Sequence, residues 1–159
     1  MLLYLLEFIH FSCEAVSLYA GFAALSRIFS GRPFEHLTIA CLQSALIASV
    51  IGMLFPEEGL PSIRLAAMIT VYIAGVAVLA WRRFHLTRTW GLIFALSLIG
   101  VLCLEALVFV QSLFRWLSPF DPKDMQPEGG LCLITESVTS ALFLVMGVFT
   151  VRMYRSKSS

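Results

Sequence analysis

Five stretches of this chain are long and apolar enough to cross a lipid bilayer as helices. About twenty apolar residues in a helix span the ~30 Å hydrocarbon layer of a bilayer. A helix also satisfies its backbone hydrogen bonds internally, which a segment in lipid requires. We therefore predict an all-α, polytopic membrane helix bundle that forms a single domain over residues 1–159. Its five transmembrane helices are predicted at about 2–29, 37–55, 63–84, 90–116 and 131–152.

The composition agrees with a lipid-facing surface. Charged residues make up 13% of the chain, hydrophobic residues make up 59%, and the mean hydropathy is +0.89. A soluble domain of this length carries about a quarter charged residues, because its surface must face water. The net charge of +1 gives no indication of a nucleic-acid partner. The apolar composition makes the bilayer itself the first predicted partner.

The basic residues predict how the chain is oriented. Lys and Arg are enriched in the cytoplasmic connections of membrane proteins. Eight of the eleven lie in the first connection, the third connection and the C-terminal segment, which share one side if there are five spans. We therefore predict an external N-terminus and a cytoplasmic C-terminus, with the connections at 56–62 and 117–130 facing outward. Bacterial cytoplasmic membrane is the predicted location.

A set of ionisable residues lies inside the predicted spans. The candidate cation-binding or proton-binding residues are Glu7, His10, Glu14, Glu105 and Glu136. The candidate supporting polar residues are Gln43, Gln111, Thr139 and Ser140. The first three ionisable residues are spaced i, i+3 and i+7, so they share one face of the first helix.

Depth estimates place these side chains in two layers. With a rise of ~1.5 Å per residue, Glu14, Glu105 and Gln43 all lie ~18 Å from the outer end of their spans. The same estimate places Glu136 and Gln111 nearer the outer surface. His10 is therefore expected within direct or one-water reach of Glu105 or Glu136, and the first helix is expected to pack on the fourth or fifth. The third helix, which is rich in Ala and Gly, is predicted to stand at the edge of the bundle.

The buried carboxyl groups need a compensating positive charge. An ionised side chain at the bilayer centre costs roughly 2.5–3.5 kcal/mol even on the lenient insertion scale. No Lys or Arg lies within the interior of any span. The compensating charge must then be a bound proton, a charged His10 or an external cation. If the cation is a divalent metal ion, the predicted ligands are His10, Glu14 and Glu105.

Several functions are compatible with this pattern. The first is binding or passage of cations, either protons or a divalent metal ion. The second is a non-catalytic subunit or scaffold that docks a partner helix or cofactor in a larger complex or homo-oligomer. In that case the polar groups form hydrogen bonds that hold helices together. The third is a membrane oxidoreductase that works with a quinone or a metal. The sequence contains no catalytic triad, P-loop or dinucleotide fingerprint, and it designates no catalytic residue.

Overall fold

The computed structural model describes residues 2–30, 34–54, 61–83, 86, 88–117 and 130–156. Within these ranges the chain is helical apart from short turns. The helices are α1 (Leu2–Phe29), α2 (Glu35–Leu54), α3 (Pro61–Arg82), α4 (Arg88–Leu117) and α5 (Gly130–Ser156). The predicted outward connections at 56–62 and 117–130 fall almost entirely outside the described residues.

The helical architecture that the sequence predicts is confirmed. Each of the five helices is long and apolar enough to cross a membrane, and together they point to an integral membrane protein. Their ends agree with the predicted spans to within a few residues, because Pro, Gly and charged residues end the apolar stretches.

The first four helices pack around a common interior. α1 packs on α2 and α4, and α3 packs on α2 and α4. Side-chain pairs show that α1 and α4 run antiparallel, since Phe11 stacks on Phe109 at 4.6 Å while Gly21 lies against Leu102 further along. The prediction that α1 packs on the fourth helix is therefore confirmed.

Small residues allow these helices to approach closely. The buried face of α3 presents Ala67, Thr70, Ala74, Ala77 and Ala80. Without a hydrophobic driving force between helices in lipid, close packing through such small residues is the usual source of association. The larger side chains of the core come from α4, where Phe94, Leu98 and Leu102 are almost fully buried.

The peripheral helix is α5, which corrects the prediction that the third helix stands at the edge. α5 packs mainly on α4 and touches α1 through two aromatic pairs, Phe22–Phe143 and Phe29–Phe149. Only 11% of its most apolar stretch is buried, against 28% for α3. The small side chains of α3 allow it to pack between α2 and α4, so its Ala-rich sequence favours a packed position over an edge position.

Candidate functional site

A small cavity inside the bundle collects the deepest polar residues. Four helices line it, with His10 and Glu14 from α1, Ala48 and Ser49 from α2, Ala67 and Thr70 from α3, and Glu105 and Val108 from α4. The space that the centre of a water molecule can occupy is about 10 Å³. A cavity needs at least roughly this volume to hold one water molecule, so the site can accommodate a water or an ion of similar size.

The two polar residues of α1 are in contact with each other. His10 Nδ1 lies 3.3 Å from Glu14 Oε1, and both side chains are almost fully buried. Their i, i+4 spacing places them one above the other on the same face of the helix. This face is directed inward because α2 and α4 pack against it.

Several oxygen atoms at the cavity have no hydrogen-bond partner among the described residues. They are Oε2 of Glu14, Oε2 of Glu105 and Oγ of Ser49, whereas Oε1 of Glu14 has its contact with His10 Nδ1. Glu14 is 1% exposed and Glu105 is 4% exposed. A buried polar atom without a partner normally costs about 1–3 kcal/mol, so one such atom in a native fold requires an explanation. Three of them lie at one cavity, where a polar guest such as a water molecule would satisfy them.

The electrostatic surroundings of this site are acidic. No Lys or Arg is among the residues that line the cavity, and His10 is its single basic side chain. Two carboxyl groups that share a low-dielectric space cannot both be charged without a strong penalty. The group that balances them is therefore a proton, a charged imidazole or a bound cation.

A second polar contact joins α4 to α5. Gln111 Nε2 donates a hydrogen bond of 2.8 Å to Glu136 Oε1, and Cys132 Sγ lies 3.7 Å from the same oxygen. Both Gln111 and Glu136 are half-buried. These residues were predicted to lie at the same depth, and the structure pairs them directly. They do not line the cavity; along α4, Gln111 lies six residues beyond Glu105.

The remaining candidate residues lie apart from the cavity. Glu7 is half-buried on α1, about one turn from His10, and is not part of the cavity lining. Gln43 is exposed on the outer face of α2, which corrects its assignment to the interior set. Thr139 Oγ1 donates to the Thr135 carbonyl of its own helix at 2.8 Å, and Ser140 is exposed on α5. The structure therefore brings together His10, Glu14 and Glu105 and leaves the others outside.

The predicted metal ligands share the cavity without forming a metal centre. In the part of the chain that the structure describes, no three His, Cys, Asp or Glu side chains are arranged to hold a metal ion. His10, Glu14 and Glu105 thus lie around one space, but their donor atoms do not converge on a single point as three ligands would.

Two hydroxyl groups of the site, those of Ser49 and Thr70, were not predicted from the sequence. Ser49 lies on α2, and Thr70 lies on α3, the helix that was expected at the edge of the bundle. Both are almost fully buried, at 4% and 2% exposed. Ser and Thr are common in membrane helices, so their presence in a span is a weak signal, and only the packing of α2 and α3 identifies them.

Comparisons of the chain with protein-family models, with curated proteins and with solved structures find no match.

Proposed function

We propose that this chain is a small integral membrane protein that binds or passes cations at the cavity formed by His10, Glu14 and Glu105, and that the cation is a proton. The observation that carries the proposal is the meeting of two buried carboxyl groups and one imidazole at a cavity, where one oxygen of each carboxyl group lacks a hydrogen-bond partner among the described residues. Ionisable residues inside a membrane protein commonly mark an ion pathway or a proton relay.

A proton fits this site for three reasons. A protonated carboxyl group is neutral, so it can remain in a low-dielectric interior at a much lower cost than a carboxylate. The space is sufficient for about one water molecule, which could carry a proton between Glu14, Glu105 and His10. A divalent metal ion would require several convergent ligands, and no such set exists among the described residues.

The proposal includes a direction of access. We propose that the N-terminus and the connections at 56–62 and 117–130 face the outside of a bacterial cytoplasmic membrane. The hydrogen-bonded pair Gln111–Glu136 then lies between the cavity and the outer end of α4, six residues from Glu105 towards the C-terminus of that helix. Glu136 and Glu7 would act at the mouth of the pathway, whereas Glu14 and Glu105 would hold the proton at its centre.

Proton flux in reconstituted vesicles tests the proposal. Purified chain is placed in vesicles that contain a pH-sensitive dye, and a potassium diffusion potential drives protons inward. We expect Glu14→Gln and Glu105→Gln to reduce the flux to that of empty vesicles, since the amide keeps the shape of the side chain but cannot release a proton. Glu136→Gln should lower the flux without abolishing it. Glu35→Gln is the matched control, because Glu35 is an exposed glutamate at the first residue of α2.

Infrared difference spectroscopy supplies a second measurement that does not depend on flux. A protonated Glu14 or Glu105 that exchanges with the medium should give a carboxylic C=O band that shifts in heavy water and disappears in the corresponding Gln variant.

Unchanged flux in a folded variant with Gln at residues 7, 14, 105 and 136 would refute the proposal. A wild-type chain with no flux and with non-exchanging carboxyl groups would indicate that these residues are only glue between helices, which would favour the subunit hypothesis. A stoichiometric divalent metal that is lost in Glu14→Gln would favour metal binding instead.

A further inference from the structure

A glutamine amide of the bundle faces outward from the middle of a span. Gln43 is exposed on α2, and the candidate span on this helix runs from Glu35 to Leu54. At a rise of ~1.5 Å per residue, the Gln43 backbone lies ~12 Å from one end of the span and ~16 Å from the other. The amide is therefore too deep for its short side chain to reach the water at either surface.

The amide of Gln43 makes no hydrogen bond to any residue that the structure describes. Two hydroxyl groups on the outer side of α5 avoid this problem by bonding to their own helix. Ser137 Oγ donates to the Leu133 carbonyl at 2.7 Å, and Thr135 Oγ1 donates to the Leu131 carbonyl at 2.8 Å. A glutamine amide has two N–H donors and one carbonyl acceptor. Its acceptor has no available donor within a helix, because the backbone N–H groups there are already bonded to carbonyl groups.

The residues around Gln43 form an otherwise apolar surface. Ile47, Val50 and Leu54 follow at helical spacing on the same side of α2, and all three are more than half exposed. We call Gln43, Ile47, Val50 and Leu54 the α2 outer face. It lies away from the cavity, since Ser49 of the same helix points into the interior.

We propose that the α2 outer face is the contact surface for a second copy of this chain, in a two-fold dimer joined by a Gln43–Gln43 amide pair. A two-fold axis along the membrane normal places each residue at the same depth as its copy, so the two amides meet without any adjustment of register. The amide is self-complementary, because the carbonyl of one copy accepts from the NH₂ of the other. An isologous contact requires this self-complementarity, and a hydrogen bond between helices removes the cost of an unsatisfied amide in hydrocarbon.

Energy transfer between labelled chains in lipid vesicles tests this dimer. Donor-labelled and acceptor-labelled full-length chains are mixed, and transfer is followed as the lipid-to-protein ratio rises. We expect the wild-type chain to dimerise and Gln43→Leu to weaken the dimer by about 3-fold to 30-fold, as expected for interhelical hydrogen bonds of ~0.6–2 kcal/mol. Ser140→Leu is the matched control, because it removes an exposed polar side chain from α5, which packs on α4 rather than on α2. It should leave the affinity unchanged.

Oxidative cross-linking gives a second measurement that does not depend on the Leu variant. Gln43→Cys, Ile47→Cys and Val50→Cys should each form disulfide-linked dimers under mild oxidation, whereas Leu144→Cys on the exposed face of α5 should not. The native chain, treated identically, corrects for its own cysteines. A wild-type chain that remains monomeric at the highest protein-to-lipid ratio would overturn the proposal. A dimer that Gln43→Leu does not weaken, or that cross-links through residue 144 instead, would overturn it as well.

Discussion

Gly21 lies where three helices come closest together. A Cβ atom at this residue would overlap Leu102 of α4 and would lie 2.9 Å from Cys41 Sγ of α2. One turn away, Ser17 Oγ donates to the Cys41 carbonyl at 3.3 Å. This close approach holds α1 against α2 and α4 in the register that places Glu14 beside Glu105.

Gly21→Ala should therefore destabilise the bundle, although alanine is the better helix former by about 1 kcal/mol. Leu102 is fully buried and cannot rotate away without displacing its neighbours, so we expect a cost on the order of 1–3 kcal/mol. Unfolding by SDS, followed by tryptophan fluorescence, measures it. Gly75→Ala is the control, since a Cβ there meets no atom within 4 Å and should leave stability unchanged or slightly raised. Equal stability of the two variants would contradict this account of the helix contact.

At the scale of the helix, α4 is the central element of the bundle and α5 is the peripheral one. α4 packs on α1, α3 and α5, and it contributes Glu105 to the cavity and Gln111 to the contact with α5. The exposed face of α5 is mostly apolar, with residues such as Leu142, Leu144 and Val145, which suits contact with lipid chains.

Truncation of one leucine on each helix should distinguish these roles. Leu98→Ala on α4 removes a fully buried side chain, whereas Leu144→Ala on α5 removes one that is 70% exposed. Lipid is as apolar as leucine, so truncating a leucine loses no hydrophobic transfer energy and loses only packing contacts. For Leu98→Ala we expect the free energy of unfolding to fall by an amount on the order of 1–3 kcal/mol. Leu144→Ala should cost little, as measured by the same SDS unfolding. A larger loss at Leu144 than at Leu98 would show that α5 is not peripheral in the assembled protein.

For the whole molecule, the charge distribution predicts which side of the membrane each connection faces. Eight of the eleven basic residues lie on the predicted cytoplasmic side. A membrane-impermeant thiol reagent applied to intact cells should therefore label Met125→Cys, in the predicted outer connection. Ser30→Cys, at the turn that follows α1, should be labelled only after permeabilisation, and the native chain corrects for its own cysteines. Labelling of Ser30→Cys in intact cells would show that the chain has the opposite orientation. The mouth of the cavity would then lie on the cytoplasmic side.

The sequence by itself determined the helical architecture and the depth of the polar residues. Five apolar stretches separated by Pro, Gly and charge leave few alternatives in a bilayer, because backbone groups in lipid must be satisfied within the helix. The linear rise of a helix converts residue number into depth. From residue numbers alone, this relation placed Glu14 at the same depth as Glu105, and Gln111 at the same depth as Glu136.

Only the tertiary structure decided which residues at a given depth face one another. Gln43 shares the depth of Glu14 and Glu105, yet it faces outward while Ser49 of the same helix lines the cavity. In a soluble helix the apolar stripe identifies the buried face. A membrane helix is apolar all around, so its sequence does not reveal which side faces its neighbours. That orientation follows from the packing of small residues such as Gly21 and the alanines of α3, which brings His10, Glu14, Ser49, Thr70 and Glu105 to one cavity and leaves Gln43 on the surface.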